Sequence, residues 1–119
     1  MMNEEAVAGL PGNLKDLLRL VAQRLEVSGE AMALQASAAN VETYGPTWID
    51  VKVPDGCPIG DWEDGPLSIS PTVLDGRGAT AGCVVIWVSE GKLTSLEQGW
   101  YTDDPPSGWP SIEMLDWEV

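Results

Sequence analysis

GCVVIWVSEGKLTSLEQGWYTDD, residues 82–104, decides how the rest of the chain is read. Cys83-Val84-Val85-Ile86-Trp87-Val88 is an apolar run of mostly β-branched and aromatic side chains. Ser89-Glu90-Gly91-Lys92 supplies turn chemistry, and residues 93–101 resume as an extended segment. Two strand-forming runs about a short link containing glycine predict a β-hairpin. The first run does not alternate cleanly, which predicts a strand in the middle of a sheet with both faces covered. A sheet is therefore the expected core.

Working outward, residues 74–80 (LDGRGAT) read as a glycine-rich turn that feeds the hairpin. Gly76-Arg77-Gly78 is not a phosphate loop, because no Lys-Ser/Thr follows and no helix opens there. A short strand is expected around Leu67-Ser68-Ile69, curtailed by Pro71. Residues 54–65 (PDGCPIGDWEDG) hold two prolines, three glycines and four acids, a loop composition. Before that loop, residues 48–53 alternate: Ile49, Val51 and Val53 point one way, Trp48, Asp50 and Lys52 the other. They pair with a strand at residues 39–43 through the turn Tyr44-Gly45-Pro46. Downstream, residues 105–110 (PPSGWP) block regular structure, and residues 111–117 suit a helical turn or extended chain equally.

Residues 1–12 read as a tail that ends in Pro11-Gly12. Asn13 is the expected N-cap of an amphipathic helix of about three turns. Leu14, Leu17, Leu18, Val21 and Leu25 form its apolar stripe; Lys15, Asp16, Arg19, Gln23 and Arg24 fall on the other face. The stripe is expected to pack on the sheet. Ser28 offers a second N-cap, with a short helix over 29–35, since Ala, Glu, Met and Leu are poor strand formers. Helices that precede strands, rather than alternate with them, favour α+β over α/β. The expected fold is thus α+β: an N-terminal helix plus a short second helix packed on a mostly antiparallel sheet of four to five strands. One domain spans residues 13–119.

Composition narrows the function. Of 119 residues, 19 are acidic and 6 basic, a net charge of −13. Residues 1–54 carry 7 acids and 4 bases, whereas residues 55–119 carry 12 acids and 2 bases. Such a field repels phosphates and anionic lipid, so neither direct nucleic-acid binding nor membrane binding is expected, and it speeds association with a basic protein. Simple solubility accounts for the same charge. No run of 18 apolar residues occurs, and the acidic N-terminus lacks the apolar core of a signal peptide, so the expected location is cytoplasmic. Cys57 and Cys83 are then expected to stay reduced and structural.

The absence of histidine removes Ser-His-Asp and Cys-His catalysis and the commonest metal ligand. Two cysteines alone cannot fill a structural zinc site, and the acids lack EF-hand spacing. Nothing in the sequence sets two carboxylates at the separation that glycoside hydrolysis needs. No cofactor and no catalytic residue is therefore expected. What stands out is aromatic side chains interleaved with acids: Asp61, Trp62, Glu63 and Asp64; then Trp100, Tyr101, Asp103 and Asp104; then Trp109 and Trp117-Glu118. Aromatics supply contact area at interfaces, and carboxylates steer and pair with basic groups. Burial of these tryptophans in the domain, with the acids merely solvating its loops, is the competing account.

The run 84–88, then Glu90-Gly91-Lys92-Leu93-Thr94-Ser95-Leu96-Glu97, then Tyr101-Thr102-Asp103-Asp104-Pro105-Pro106 and Trp109-Pro110, resembles small actinobacterial-type proteins of unknown activity. Those share a D/E-G-x-L-x-x-L-E hairpin and a proline-rich acidic tail. Members often carry a C-x-C-x-C segment where Thr43-Tyr44-Gly45-Pro46-Thr47 stands here without cysteine. The resemblance implies an α+β domain and no particular activity. The expected function is a non-enzymatic acidic domain that binds a basic protein, in its most concrete form an immunity-type inhibitor of a nuclease-like toxin. The binding residues would be Asp61, Trp62, Glu63, Asp64, Trp100, Tyr101, Asp103, Asp104 and Trp109. A DNA-mimic or phage-encoded inhibitor and a small carboxylate-based enzyme or ligand-binding domain are the alternatives.

Overall fold

The computed structural model describes residues 8–117. In chain order it contains β1 (Ala8–Gly9), α1 (Gly12–Arg24), α2 (Gly29–Ala38), β2 (Asn40–Tyr44) and β3 (Trp48–Lys52). There follow β4 (Gly65–Pro66), β5 (Thr72–Leu74), β6 (Thr80–Ser89), β7 (Lys92–Trp100), a 3-10 turn (Ile112–Met114) and β8 (Leu115–Asp116). The fold is α+β, with every strand pair antiparallel among the described residues. The strand order is β1-β2-β3-β7-β6-β5-β8, and β4 pairs with β6 off that path.

The hairpin of β6 and β7 forms the middle. Ser89 pairs with Lys92 across a two-residue link in which Glu90 and Gly91 both have positive φ, 55° and 75°. Two left-handed residues in succession give the turn whose twist matches a right-twisted strand pair. Near the turn, Trp87 pairs with Ser95 and Val88 with Leu93, so Thr94 is an extra residue in a bulge. The bulge lets Leu93 and Leu96, three apart, both face the core, where they are 1% and 0% exposed.

Among the described residues, the helices cover one face of the sheet. Leu14, Leu17, Leu18 and Val21 of α1 and Met32 and Ala36 of α2 bury against Ile49, Val51, Val84, Ile86, Val88, Leu93 and Leu96. The alternate residues of the hairpin, Cys83, Val85 and Trp87, are half-buried on the other face. The expectation that β6 is covered on both faces is thus corrected. Val84, Ile86 and Val88 alternate with them as in a one-sided sheet, and the uninterrupted apolar run arises because the open face is itself partly apolar.

Among the described residues the sheet has eight strands rather than four to five. The additional ladders are two residues long (β1, β4 and β8), too short to carry any period. The strand expected at Leu67–Ile69 lies instead at Thr72–Leu74, after Pro71. Leu67 is fixed by donating its N–H to the Ile86 carbonyl. Of the expected tail, Met1–Val7 lie outside the described residues; Ala8 and Gly9 pair with β2, and Leu10 is buried.

Of the two expected N-caps, Ser28 stands in the cap position of α2, whereas Asn13 does not cap α1. α1 starts two residues earlier, with Pro11 in the cap position, and Asn13 Nδ2 donates to the Trp109 and Pro110 carbonyls at 3.4 and 3.2 Å. Ser28 is left-handed (φ 62°) and makes no cap bond; its Oγ accepts the Asp61 N–H at 2.8 Å. α2 runs on to Ala38, past the expected end at Gln35.

Gln35 is fully buried and fully used. Its Nε2 donates to the Pro58 and Gly91 carbonyls at 2.8 and 2.9 Å, and its Oε1 accepts the Leu93 N–H at 2.8 Å. One side chain thereby joins α2, the long loop and the hairpin turn. Gln35→Leu keeps the volume but leaves the buried Leu93 N–H without an acceptor, while the Gly91 carbonyl keeps the Gly60 N–H and Pro58 is exposed, and should cost about 1–3 kcal/mol. Urea unfolding should show it as a lower midpoint at unchanged slope. Glu90→Asn, which suits the left-handed turn position better, should raise stability by about 0.5–1 kcal/mol in the same measurement.

Candidate protein-binding surface

The residues singled out in the sequence fall at two ends of the central hairpin. β7 is nine residues long, so the ends are roughly 27 Å apart at about 3.3 Å per residue. Asp61, Trp62, Glu63 and Asp64 lie at the turn end. There the Gly60 N–H donates to the Gly91 carbonyl at 2.8 Å, and Asp64 Oδ1 accepts the Glu90 N–H at 2.8 Å. Asp61 is held through its backbone to Ser28. The Trp62 indole is half-buried against the core; it lies over Gly60, where a Cβ would collide with the ring, and donates Nε1–H to the Val27 carbonyl at 3.3 Å. Most of this cluster is spent on closing the loop over the hairpin turn. Glu63 stays exposed beside a cleft of about 360 Å³ lined by Arg24, Val27 and Trp62.

Trp100, Tyr101, Asp103, Asp104 and Trp109 lie at the opposite, open end. Trp109 is half-buried, with its Nε1–H on the Gly45 carbonyl at 2.8 Å. Trp100 and Tyr101 are 43% and 64% exposed, and Asp103 and Asp104 are exposed beside them. The Thr102 hydroxyl donates to the Asp104 carbonyl at 2.9 Å, which curls this acidic segment on itself.

The structure adds aromatics that the acidic clusters did not point to. Tyr44 and Trp48 are 58% and 39% exposed. Tyr44 pairs with Ile49, Trp48 pairs with Glu97, and the Gln98 N–H donates to the Thr47 carbonyl, so both belong to the open end. Among the described residues, the four exposed aromatic side chains, Tyr44, Trp48, Trp100 and Tyr101, therefore share one end of the sheet. The strands and turns of that end carry Glu42, Asp50, Asp75, Glu97, Asp103 and Asp104 against Arg77. The alternation of Trp48, Asp50 and Lys52 was the signal in the sequence for this outward face.

Two tryptophans on the uncovered face are oriented by carboxylates. Trp48 Nε1 donates to Asp50 Oδ1 at 2.8 Å, and the same oxygen accepts the Ser95 hydroxyl at 2.9 Å. Trp87 Nε1 donates to Glu97 Oε1 at 3.1 Å. Each indole N–H is satisfied within the sheet, which leaves the ring faces available for contact.

Cys57 and Cys83 are free thiols. Among the described residues, no three Cys, Asp or Glu side chains gather as a metal site requires, and no helix is long and apolar enough to cross a membrane. No protein-family model, curated protein or solved structure matches the chain.

Cys83 and Tyr101 meet on the open face. A hydrogen bond with Cys83, then the charge of that thiol when ionised, then burial push the Tyr101 phenol above its ordinary value of 10.0. In a Tyr44→Phe background, tyrosinate absorbance reports Tyr101 alone. Replacement of Cys83 by Ala should then move the titration midpoint down towards about 10. An unmoved midpoint would mean that thiol and phenol do not touch.

Proposed function

We propose that this chain is a non-enzymatic protein-binding domain that receives a basic protein on the open end of its sheet. The observation that carries the reading is the gathering of Tyr44, Trp48, Trp100 and Tyr101 at one end, among exposed carboxylates. Exposed aromatics with fixed orientation supply contact area at low entropic cost, and the surrounding acids favour a basic surface over an acidic one. The most specific form of the reading is an immunity-type inhibitor. Trp100 and Tyr101 would seat against a toxin's basic active site, and Asp103 and Asp104 would take the place of its anionic substrate. Occlusion of this kind asks for no chemistry from the inhibitor.

The turn-end cluster Asp61–Asp64 has a different part in this reading. The Asp64 carboxylate, the Asp61 backbone N–H and the Trp62 indole hold the long loop, so the docking surface is confined to the open end. That separation makes the reading testable by comparison of two sets of variants. A wild-type bait should retain a basic protein from the native cell at low salt and release it at high salt. Trp100→Ala with Tyr101→Ala should abolish retention, whereas Asp61→Asn with Glu63→Gln should leave most of it. Circular dichroism melts would verify that each bait is folded. Equal retention by both variant sets, or an empty wild-type bait, would sink the reading.

A further inference from the structure

Gln98 is 3% exposed and sits at the floor of the open end. Both of its N–H groups are taken, by the Pro46 and Gly108 carbonyls at 2.9 and 3.0 Å. Its Oε1 accepts no hydrogen bond from any described residue. A buried amide oxygen without a donor calls for a ligand or solvent partner. Gln98 lines two adjoining clefts of about 370 and 170 Å³, which also share Val73, Ala81 and Pro106. Trp100 forms a wall of the smaller cleft and Asp104 stands on its rim. Asp75 lines the larger cleft, but one of its oxygens is engaged by the N–H groups of Arg77 and Ala79. No basic side chain lines either cleft.

We propose that this paired cleft takes an arginine side chain of the basic partner, with one guanidinium N–H on Gln98 Oε1 and the Asp104 carboxylate against the same group. The occupant follows from the chemistry of the walls. An acceptor at the floor and an anion at the rim require a cation with several N–H donors. An indole wall beside Pro106 suits a planar, weakly hydrated cation and an apolar stem, which arginine has and the compact ammonium of lysine does not. The inference rests on the reading of the open end as a docking surface and names the residue of the partner that would anchor there.

The cleft is tested without the partner, by nuclear magnetic resonance titration with N-acetyl-arginine amide and, separately, N-acetyl-lysine amide. The Gln98 side-chain amide and the Trp100 indole should shift saturably with arginine and at least five-fold more weakly with lysine. Asp104→Asn, an exposed change that leaves the fold intact, should weaken the arginine response about five- to ten-fold, whereas Asp61→Asn should not alter it. Equal, unsaturated shifts with both probes, spread over all acidic residues, would overturn the proposal, as would indifference to Asp104→Asn. If a basic protein is retained by the open end while arginine fails to enter the cleft, the cleft assignment alone falls. Arginine entry with no protein retained would instead overturn the assignment to a protein partner.

Discussion

A primary amide sealed in an apolar core is tolerable only when all its polar groups are met, and the architecture follows from how Gln35 meets that demand. Its three bonds go to Pro58, Gly91 and Leu93, none of them on its own helix. α2 is thereby fixed over the hairpin turn, and the loop after β3 is drawn in against both. Once Pro58 is placed, Gly60, Asp61, Trp62 and Asp64 fall within reach of Gly91, Ser28, Val27 and Glu90, and each makes its bond there. Asp64 through its carboxylate and Asp61 through its backbone are part of the closure of the core.

Gln98 does similar work at the other end but leaves it open. Its two donors tie down Pro46 and Gly108, and so the β2–β3 turn and the proline-rich segment after β7. Those two segments are further stapled by the Trp109 indole on Gly45. What lies beyond the staples, Trp100 to Asp104, is exposed. The two ends thus differ in whether their polar and aromatic groups are consumed. Among the described residues no helix covers the face between them, and Asp50 and Glu97 satisfy the indoles of Trp48 and Trp87 there.

Much of this was legible before any coordinates. The leucine stripe from Leu14 to Val21 has one reading, and Glu90-Gly91 between two β-rich runs fixes a tight hairpin. Inward Ile49 and Val51 against outward Trp48 and Asp50 were visible from alternation alone. The ladders of β1, β4 and β8 were not, because two residues have no period. Ser28 looks like an N-cap in sequence; its hydroxyl went instead to Asp61, 33 positions away. Gln35 and Gln98 gave no signal, since the burial of a glutamine depends on carbonyls that arrive from distant segments, 56 residues off in the case of Gly91. The clusters Asp61-Trp62-Glu63-Asp64 and Trp100–Asp104 look equivalent for the same reason. Composition cannot say which of two acidic aromatic runs has its groups already engaged.

The distance between those clusters also limits what the net charge of −13 contributes to binding. Exposed charges are screened over about 8 Å at physiological ionic strength. Asp61 to Asp64, roughly 27 Å along the hairpin from the open end by strand length, lie more than three such lengths away and add little to the field there. The charges that count are Glu42, Asp50, Asp75, Glu97, Asp103 and Asp104, offset by Arg77. Lys15, Arg19 and Arg24 all sit on α1, in the layer that covers one face of the sheet. The electrostatic preference for a basic surface is therefore local to one end of the molecule. A salt dependence of binding would measure those few carboxylates and not the total charge of the chain.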